Sequence, residues 1–280
     1  MKRRFLLRSL VYLFISILFI ITVFPIIYSL LASFKTNSEI VANGAQILPE
    51  KFMIENYINA WNKADFKSYT FNSIYMTVFV VIGTLILSSM GGYVFARATF
   101  KGKKIIFALF TSTMFISMGS ITIYPLIQIA KLLHINSSLI GVIIIKIFGL
   151  NMVNTFLVKG FVEGLPREIE EAAIIDGCDF FKIFTKITLP LIVPILATIA
   201  IITFKDTWND YLLPMVFTMG NLKQAPLVVG IVALKGTGEG ATNWNLMLAG
   251  TAISLVPMII LYLGLNKFFV AGMVNGAVKG

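Results

Sequence analysis

The sequence has 280 residues, of which 58% are hydrophobic and only 13% charged, and its formal net charge is +10. A charged fraction about half that of ordinary soluble domains, with a mean hydropathy of +0.88, excludes a water-soluble globule and places the chain in a bilayer. There the positive excess faces anionic headgroups rather than nucleic acid, because no basic stripe is interleaved with exposed polar helix.

Apolar stretches of about 20 residues fit a hydrocarbon core of about 30 Å. Six are legible in chain order, at 10–33, 70–96, 105–124, 138–158, 191–214 and 246–266. The expected fold is therefore an all-α membrane protein with six transmembrane helices. "MKRRFLLR" at the start resembles the basic region of a secretory signal. The apolar run behind it, Leu10 to Ala32, is longer than the roughly 7–15 residues of a signal core, so a retained helix is expected.

Between the first two spans lies a polar region, 34–68, with Asn43-Gly44 and Pro49, long enough to fold over a pore mouth. Residues 215–243 carry "MGNLKQAP" and "LKGTGEGATN", whose glycines suit an irregular external loop. With an even number of spans and the N-terminus inside, 14 of the 23 basic residues face the cytoplasm and 7 face out. That bias predicts a multi-pass protein with both termini cytoplasmic. Three parts follow: 1–69, the first helix and external polar loop; 70–266, five helices and a loop at 159–190; and 267–280, a cytoplasmic tail.

The 159–190 loop holds four basic and six acidic residues. Pro166 can open a helix, Glu168, Glu170 and Glu171 then complement its N-terminal dipole, and Gly177 breaks it. "FFKIFTKI" makes a second short amphipathic helix before Pro190 opens the next span. Ala172 and Ala173 let another protein approach closely, and Phe180, Phe181 and Phe184 fill a pocket or pack onto the spans. The alternative is a helix lying on the headgroups. Its acidic excess favours docking to a partner, because the cytoplasmic leaflet is negative.

Polar groups inside spans are costly and face a bundle interior or a cavity. Asn151 and Asn154 lie three residues apart in the fourth span, which also carries Lys146, read as snorkelling or pairing with an acid. The fifth carries Lys205, Asp206, Thr207, Trp208, Asn209, Asp210 and Tyr211, with Asp206 and Asp210 at i,i+4 spacing. Amides and carboxylates suit sugar hydroxyls, and aromatic faces suit sugar C–H patches. Trp208 and Tyr211 read equally as path or as interface belt. Asn209 and Asp210 read as an external path or gate, and interhelical packing is the plain alternative for the whole set.

One cysteine and one histidine argue against a disulfide framework and a metal centre. The absence of a G-x-x-x-x-G-K-[ST] loop means that ATP is not bound here by a Walker motif. No nucleophile–base constellation is present, so a membrane-embedded enzyme is weakly supported. A secondary transporter using Lys205 and Asp206 as ion-coupling groups stays open on the residues alone.

The segment "EAAIIDGCDFFKIFTKITLP" resembles the E-A-A-x3-G-x9-I-x-L-P signature of ABC importer permeases, with Glu171, Ala172, Ala173, Gly177, Ile187, Leu189 and Pro190 in place. "FKDTWNDYLLP" and the terminal "GMVNGAVKG" resemble the sugar branch, in particular the second permease of maltose-type systems. The similarity runs from about residue 70 to 280. It implies a type I importer transmembrane domain in which Glu171, Ala172, Ala173, Asp176, Gly177, Phe180 and Phe181 form a coupling helix. A cytoplasmic ATPase docks there and binds the ATP and Mg, with no cofactor on this chain. It further implies a bacterial cell membrane, a homologous permease partner, two ATPase subunits, an extracellular solute-binding protein and a sugar substrate. The residues read from their own chemistry as substrate path or gate are Asn151, Asn154, Asp206, Trp208, Asn209, Asp210 and Tyr211.

Overall fold

The computed structural model describes residues 2–43, 46–62, 65–115, 119–149, 151–235 and 242–277, with side chains described between residues 8 and 264. The described residues are helical and include no strand. They fall into two compact units, one of residues 1–69 with 227–256, the other of 70–226 with 257–280.

The first unit contains α1 (Lys2–Ala32), α2 (Asn37–Ala42) and α3 (Glu55–Asn62). The apolar sides of α1 are left open by the protein, as expected of a helix bathed in lipid. The polar region after it is ordered by hydrogen bonds rather than by a core. Thr36 and Glu39 close a capping box on α2, and Glu39 Oε1 also accepts the N–H of Glu50 at 2.9 Å. Lys35 is fully buried and its ammonium donates to the carbonyl of Gln46. Asn56 is the hub: its amide donates to the carbonyls of Ser33 and Lys35 at 2.9 and 2.8 Å, and its oxygen accepts from Asn245 at 2.9 Å.

The stretch read as an irregular loop at 215–243 contains α14 (Leu227–Ala233), whose Leu227, Val229 and Ile231 are buried. "LVVGIVA" is too short to cross a bilayer but apolar enough to need a core, and this the glycine pattern concealed. Residues 236–241 of that stretch lie outside the described set.

The second unit is built around α4 (Phe66–Arg97), from residue 70 onward. Packed with it are α5 (Lys103–Ser112), α6 (Ile123–Leu132), α7 (Leu139–Phe148), α8 (Met152–Glu163), α9 (Glu168–Ile175), α10 (Phe180–Ile183), α11 (Leu189–Leu191), α12 (Val193–Trp208) and α13 (Leu212–Thr218). The last helix, α15 (Trp244–Ala277), runs eleven residues past the expected end of the sixth span. One core gathers Met76, Val80, Val142 and Phe217; another gathers Tyr93, Val158, Val162, Phe184, Ile192 and Ile199.

Among the described residues three helices are long and apolar enough to cross a bilayer, at Arg8–Ala32, Phe66–Arg97 and Trp244–Gly264, and counting each of two bent pairs as one span brings the number to five. The expected third span, 105–124, is not one helix. It falls on α5, on 3₁₀ turns at Thr113–Phe115 and Gly119–Thr122, and on the start of α6, with 116–118 outside the described set. Gly119 has φ +54, a conformation no right-handed helix accommodates. The fourth span is α7 and α8, bent by 41°. The fifth is bent by 74°, and its α12 begins at Val193 and ends at Trp208, not at 214. The causes are local: Gly149 ends α7, and Pro190 and Pro194 flank the break at Ile192.

Candidate functional site

Two places in the second unit carry the residues singled out in the sequence. The first is the pair α9–α10. Glu168, Glu170 and Glu171 lie in the first turn of α9, which starts two residues after Pro166. The helix ends in a Schellman closure: Cys178 N–H donates to Ala173 O at 2.9 Å and Gly177 N–H to Ile174 O at 3.0 Å. Gly177 has φ +80, which a residue with a Cβ rarely adopts. Asp179 then caps α10, its Oδ1 accepting the N–H of Lys182 at 2.7 Å.

The inner face of this pair is anchored. Ala173 is buried, so of the two alanines only Ala172 stands on the open side, because the α9 register turns Ala173 toward Ile183 and Phe184. Phe180 and Phe184 pack on the ring of Tyr93, at 4.7 and 5.2 Å between centroids. Arg97 Nε donates to Glu170 Oε1 at 2.9 Å and its Nη2 to Leu165 O at 3.0 Å. The outer face is open and apolar at its tips: Ile174, Ile175 and Phe181 are exposed, Ile175 by 86%, beside exposed Glu171 and Asp176. The two adjacent glutamates thus divide, Glu170 held inward by Arg97 and Glu171 free on the outer face. Ile174, Ile175, Arg97 and Tyr93 were missed in the sequence; the only signal was two isoleucines next to an acidic helix start.

A backbone N–H bond holds the Asp179 carboxyl below its ordinary value; partial desolvation opposes this and the Lys182 charge adds to it. The cap is complete above the usual carboxylate range and is lost only as pH falls through that lowered value, so function near neutral pH does not titrate with it. Asp179→Ala is expected to speed amide exchange at Lys182 and Ile183 several-fold, while Asp179→Asn, which keeps an acceptor, leaves it nearly unchanged. Equal protection in wild type and the alanine variant would remove the cap from the account.

The second place is a polar cavity of about 290 Å³. Val80 and Thr84 of α4, Lys146 of α7, Asn151, Val153 and Asn154 around the start of α8, and Ile202, Thr203, Asp206 and Thr207 of α12 line it. Asn151 does not project from a continuous helix as the spacing implied. It sits in the α7–α8 break, where its amide donates to the carbonyls of Ile147 and Lys146 at 2.9 and 3.2 Å. The hydroxyl of Thr203 is buried and unpartnered.

Asp206 and Asp210 do not share a helical face, because α12 stops at Trp208 and Asp210 lies in the link that follows. Lys146 pairs with Asp210 at 2.6 Å, both side chains about a fifth exposed. Asp206 stays on the cavity wall, near Lys205 at 3.4 Å. Trp208 is buried at 2% and stacked on Phe204 at 5.5 Å, away from the cavity lining. Asn209 caps the end of α12, donating to Lys205 O at 2.8 Å, and Tyr211 opens α13 half-buried. Among the described residues no three His, Cys, Asp or Glu side chains gather as a metal site.

Long apolar helices, broken around a polar cavity and joined at one end to a rigid, open-faced helix pair, define a membrane permease. The chain belongs to the family of binding-protein-dependent transport system inner membrane components, whose model matches residues 1–275. It is 34% identical over 263 residues to the arabinooligosaccharides transport system permease protein AraQ of Halalkalibacterium halodurans, covering 93% of this chain and 92% of that protein. It is also 34% identical over 238 residues to the melibiose/raffinose/stachyose import permease protein MelC of Bacillus subtilis, covering 84% of each. A chain in the crystal structure of a bacterial ABC transporter involved in the import of the acidic polysaccharide alginate shares the fold, with a TM-score of 0.83, 24% identity and coverage of 96% and 98%. Family membership decides between the readings left open by the residues. The chain is an inner-membrane translocation subunit of a bacterial transport system, neither an enzyme nor an ion-driven secondary transporter.

Proposed function

We propose that this chain is one permease of an ATP-driven importer of neutral oligosaccharides, working with a homologous permease, two ATPase subunits and an extracellular solute-binding protein. The observation that carries the ATP-driven reading is the α9–α10 pair. Its anchored inner face makes it rigid, and Glu171, Ile174, Ile175 and Phe181 leave a charged and apolar outer face with no partner among the described residues. Such a surface suits a groove on the ATPase, which would bind the ATP and Mg. Ala172, Asp176 and Gly177 complete the contact.

The substrate class rests on the relatives and on the cavity chemistry. Asn154, Asp206 and Thr203 present acceptors and donors to hydroxyl groups, and the charges on the wall, Lys146 and Asp206, balance, so the lining favours an uncharged solute. Asp210, already held by Lys146, acts as a latch on the path rather than as a ligand. Asn209 and Tyr211 border that latch, and Trp208 supports it from the core.

The orientation with both termini cytoplasmic follows from the basic-residue bias. Membranes containing the assembled transporter should accumulate a labelled arabino- or galacto-oligosaccharide only with ATP and the binding protein. Impermeant reagents should label single cysteines at positions 55 and 235 from outside and at 103 only after permeabilisation. Uptake driven by an ion gradient without ATP, or labelling of position 103 from outside, would overturn the reading.

A further inference from the structure

We infer that Arg97 is a positioning residue which makes α4 the element that carries the ATPase stroke from the α9–α10 pair to the cavity. This rests on the proposed docking role of that pair. The last two turns of α4 hold both of its arms: Arg97 takes α9 through Glu170 and, through Leu165, the chain leading into it, while Tyr93, one turn earlier, takes α10 through Phe180 and Phe184. The Arg97 side chain is 6% exposed and that of Glu170 13%, so the pair is shielded from water and salt and its geometry is fixed by the guanidinium fork.

The other end of the lever is on the cavity wall. Thr84 and Val80 line the cavity, and the Asn151 amide lies 3.5 Å from Thr84 Oγ1. Thirteen residues of unbroken α4 separate Arg97 from Thr84, about 20 Å at 1.5 Å per residue. α4 is also locked to α7 and α8 by close approach. A Cβ on Gly92 would stand 2.5 Å from Val158, and one on Gly83 would stand 2.6 Å from Ile147. The competing route through α10, α11 and α12 passes a π-turn at Phe184–Thr188 and a 74° bend. A displacement of α9–α10 therefore reaches the cavity along α4 with little lost in bending. Without Arg97, α9 keeps its fold and its outer face but loses its rigid tie to the lever.

The test uses the complete transporter, purified with its ATPase subunits and reconstituted in liposomes. Wild type, Arg97→Gln, Arg97→Lys, Glu170→Gln and the Arg97→Gln/Glu170→Gln double variant are compared at equal assembled complex. The readouts are ATPase co-purification, ATP hydrolysis and uptake per ATP hydrolysed. Arg97→Gln is expected to retain the ATPase and its hydrolysis while uptake per ATP falls at least about tenfold, as breaking a buried ion pair on one element of a two-state device predicts. Glu170→Gln should fall similarly, the double variant no further than Arg97→Gln, and Arg97→Lys, which keeps the charge without the fork, should lie between. If Arg97→Gln fails to reach the membrane, Glu170→Gln carries the same expectation. Unchanged uptake per ATP in Arg97→Gln or Glu170→Gln, or losses that multiply in the double variant, would overturn the assignment. Failure of the docking reading is separate: the ATPase would then co-purify undiminished with Glu171→Lys.

Discussion

Gly177→Val is expected to abolish solute uptake while leaving the chain in the membrane at its normal level, and Glu171→Lys is expected to do the same. The two reach that result differently. Nothing lies within 4 Å of a Cβ built on Gly177, so valine meets no steric wall. What it meets is φ +80, where a non-glycine residue costs about 1–2 kcal/mol and a β-branched one more. Relief requires opening the Schellman closure, and the closure is what sets the direction of α10 relative to α9. Gly177→Ala is the graded control, with a smaller loss. Glu171→Lys leaves the backbone alone: the side chain is exposed, and such substitutions usually change stability by no more than about 0.5 kcal/mol. It reverses a charge in the first turn of α9 and on the open face proposed to meet the ATPase. Immunoblotting of membranes, ATPase co-purification and uptake together separate the two routes. Normal uptake by both variants would remove the docking role of this helix pair.

The α9–α10 helix pair was legible in the sequence because its signals are local. A cluster of glutamates, an alanine pair, a glycine and a following proline define helix start, face and stop within 20 residues, and Gly177 stands at the break they imply. What was not legible depends on partners far apart in the chain. That Ala173 turns inward follows from Ile183 and Phe184, and that Glu170 rather than Glu171 is held follows from Arg97, which hydropathy marks only as the basic end of a span. The broken spans misled for a related reason. Hydropathy averages over a window, so α7 and α8 read as one helix, and the link after Trp208 read as a continuation in which Asp206 and Asp210 would share a face. Asn151, Asn154 and Asp206 do come together on one cavity; the break between α7 and α8 frees backbone carbonyls, and the Asn151 amide satisfies those of Ile147 and Lys146. Both amides of the fourth span line that cavity, but the Asn151 amide serves the backbone.

Lys146→Met and Asp210→Asn are each expected to destabilise the chain, whereas Lys146→Met/Asp210→Asn together recover most of the loss. Lys146 lies in the last turn of α7, where the carbonyl end of the helix favours a cation, and Asp210 lies in the link between α12 and α13. The pair therefore joins two helix interruptions beside the cavity that Lys146 lines. Removing one member leaves the other partly buried without a counter-charge. For a fully buried pair that costs about 3–5 kcal/mol; here both side chains remain about a fifth exposed, and about 2–3 kcal/mol is expected. Losing Lys146 should be the worse of the two, because it also takes a cation from the wall that carries Asp206. Thermal unfolding of the purified transporter measures this directly, and a double variant as unstable as the sum of the singles would show that the ion pair contributes nothing of its own. Transport reads the role. If Asp210 latches the path, Asp210→Asn raises basal ATP hydrolysis equally whichever oligosaccharide is supplied, because a latch senses the state of the helices and not the identity of the solute. If Asp210 instead bound substrate, the same change would shift apparent affinity or the order of preference among sugars and leave basal hydrolysis alone. With its carboxylate already held at 2.6 Å by Lys146, the first outcome is expected; a shift in sugar preference without a rise in basal hydrolysis would instead make this carboxylate a substrate ligand.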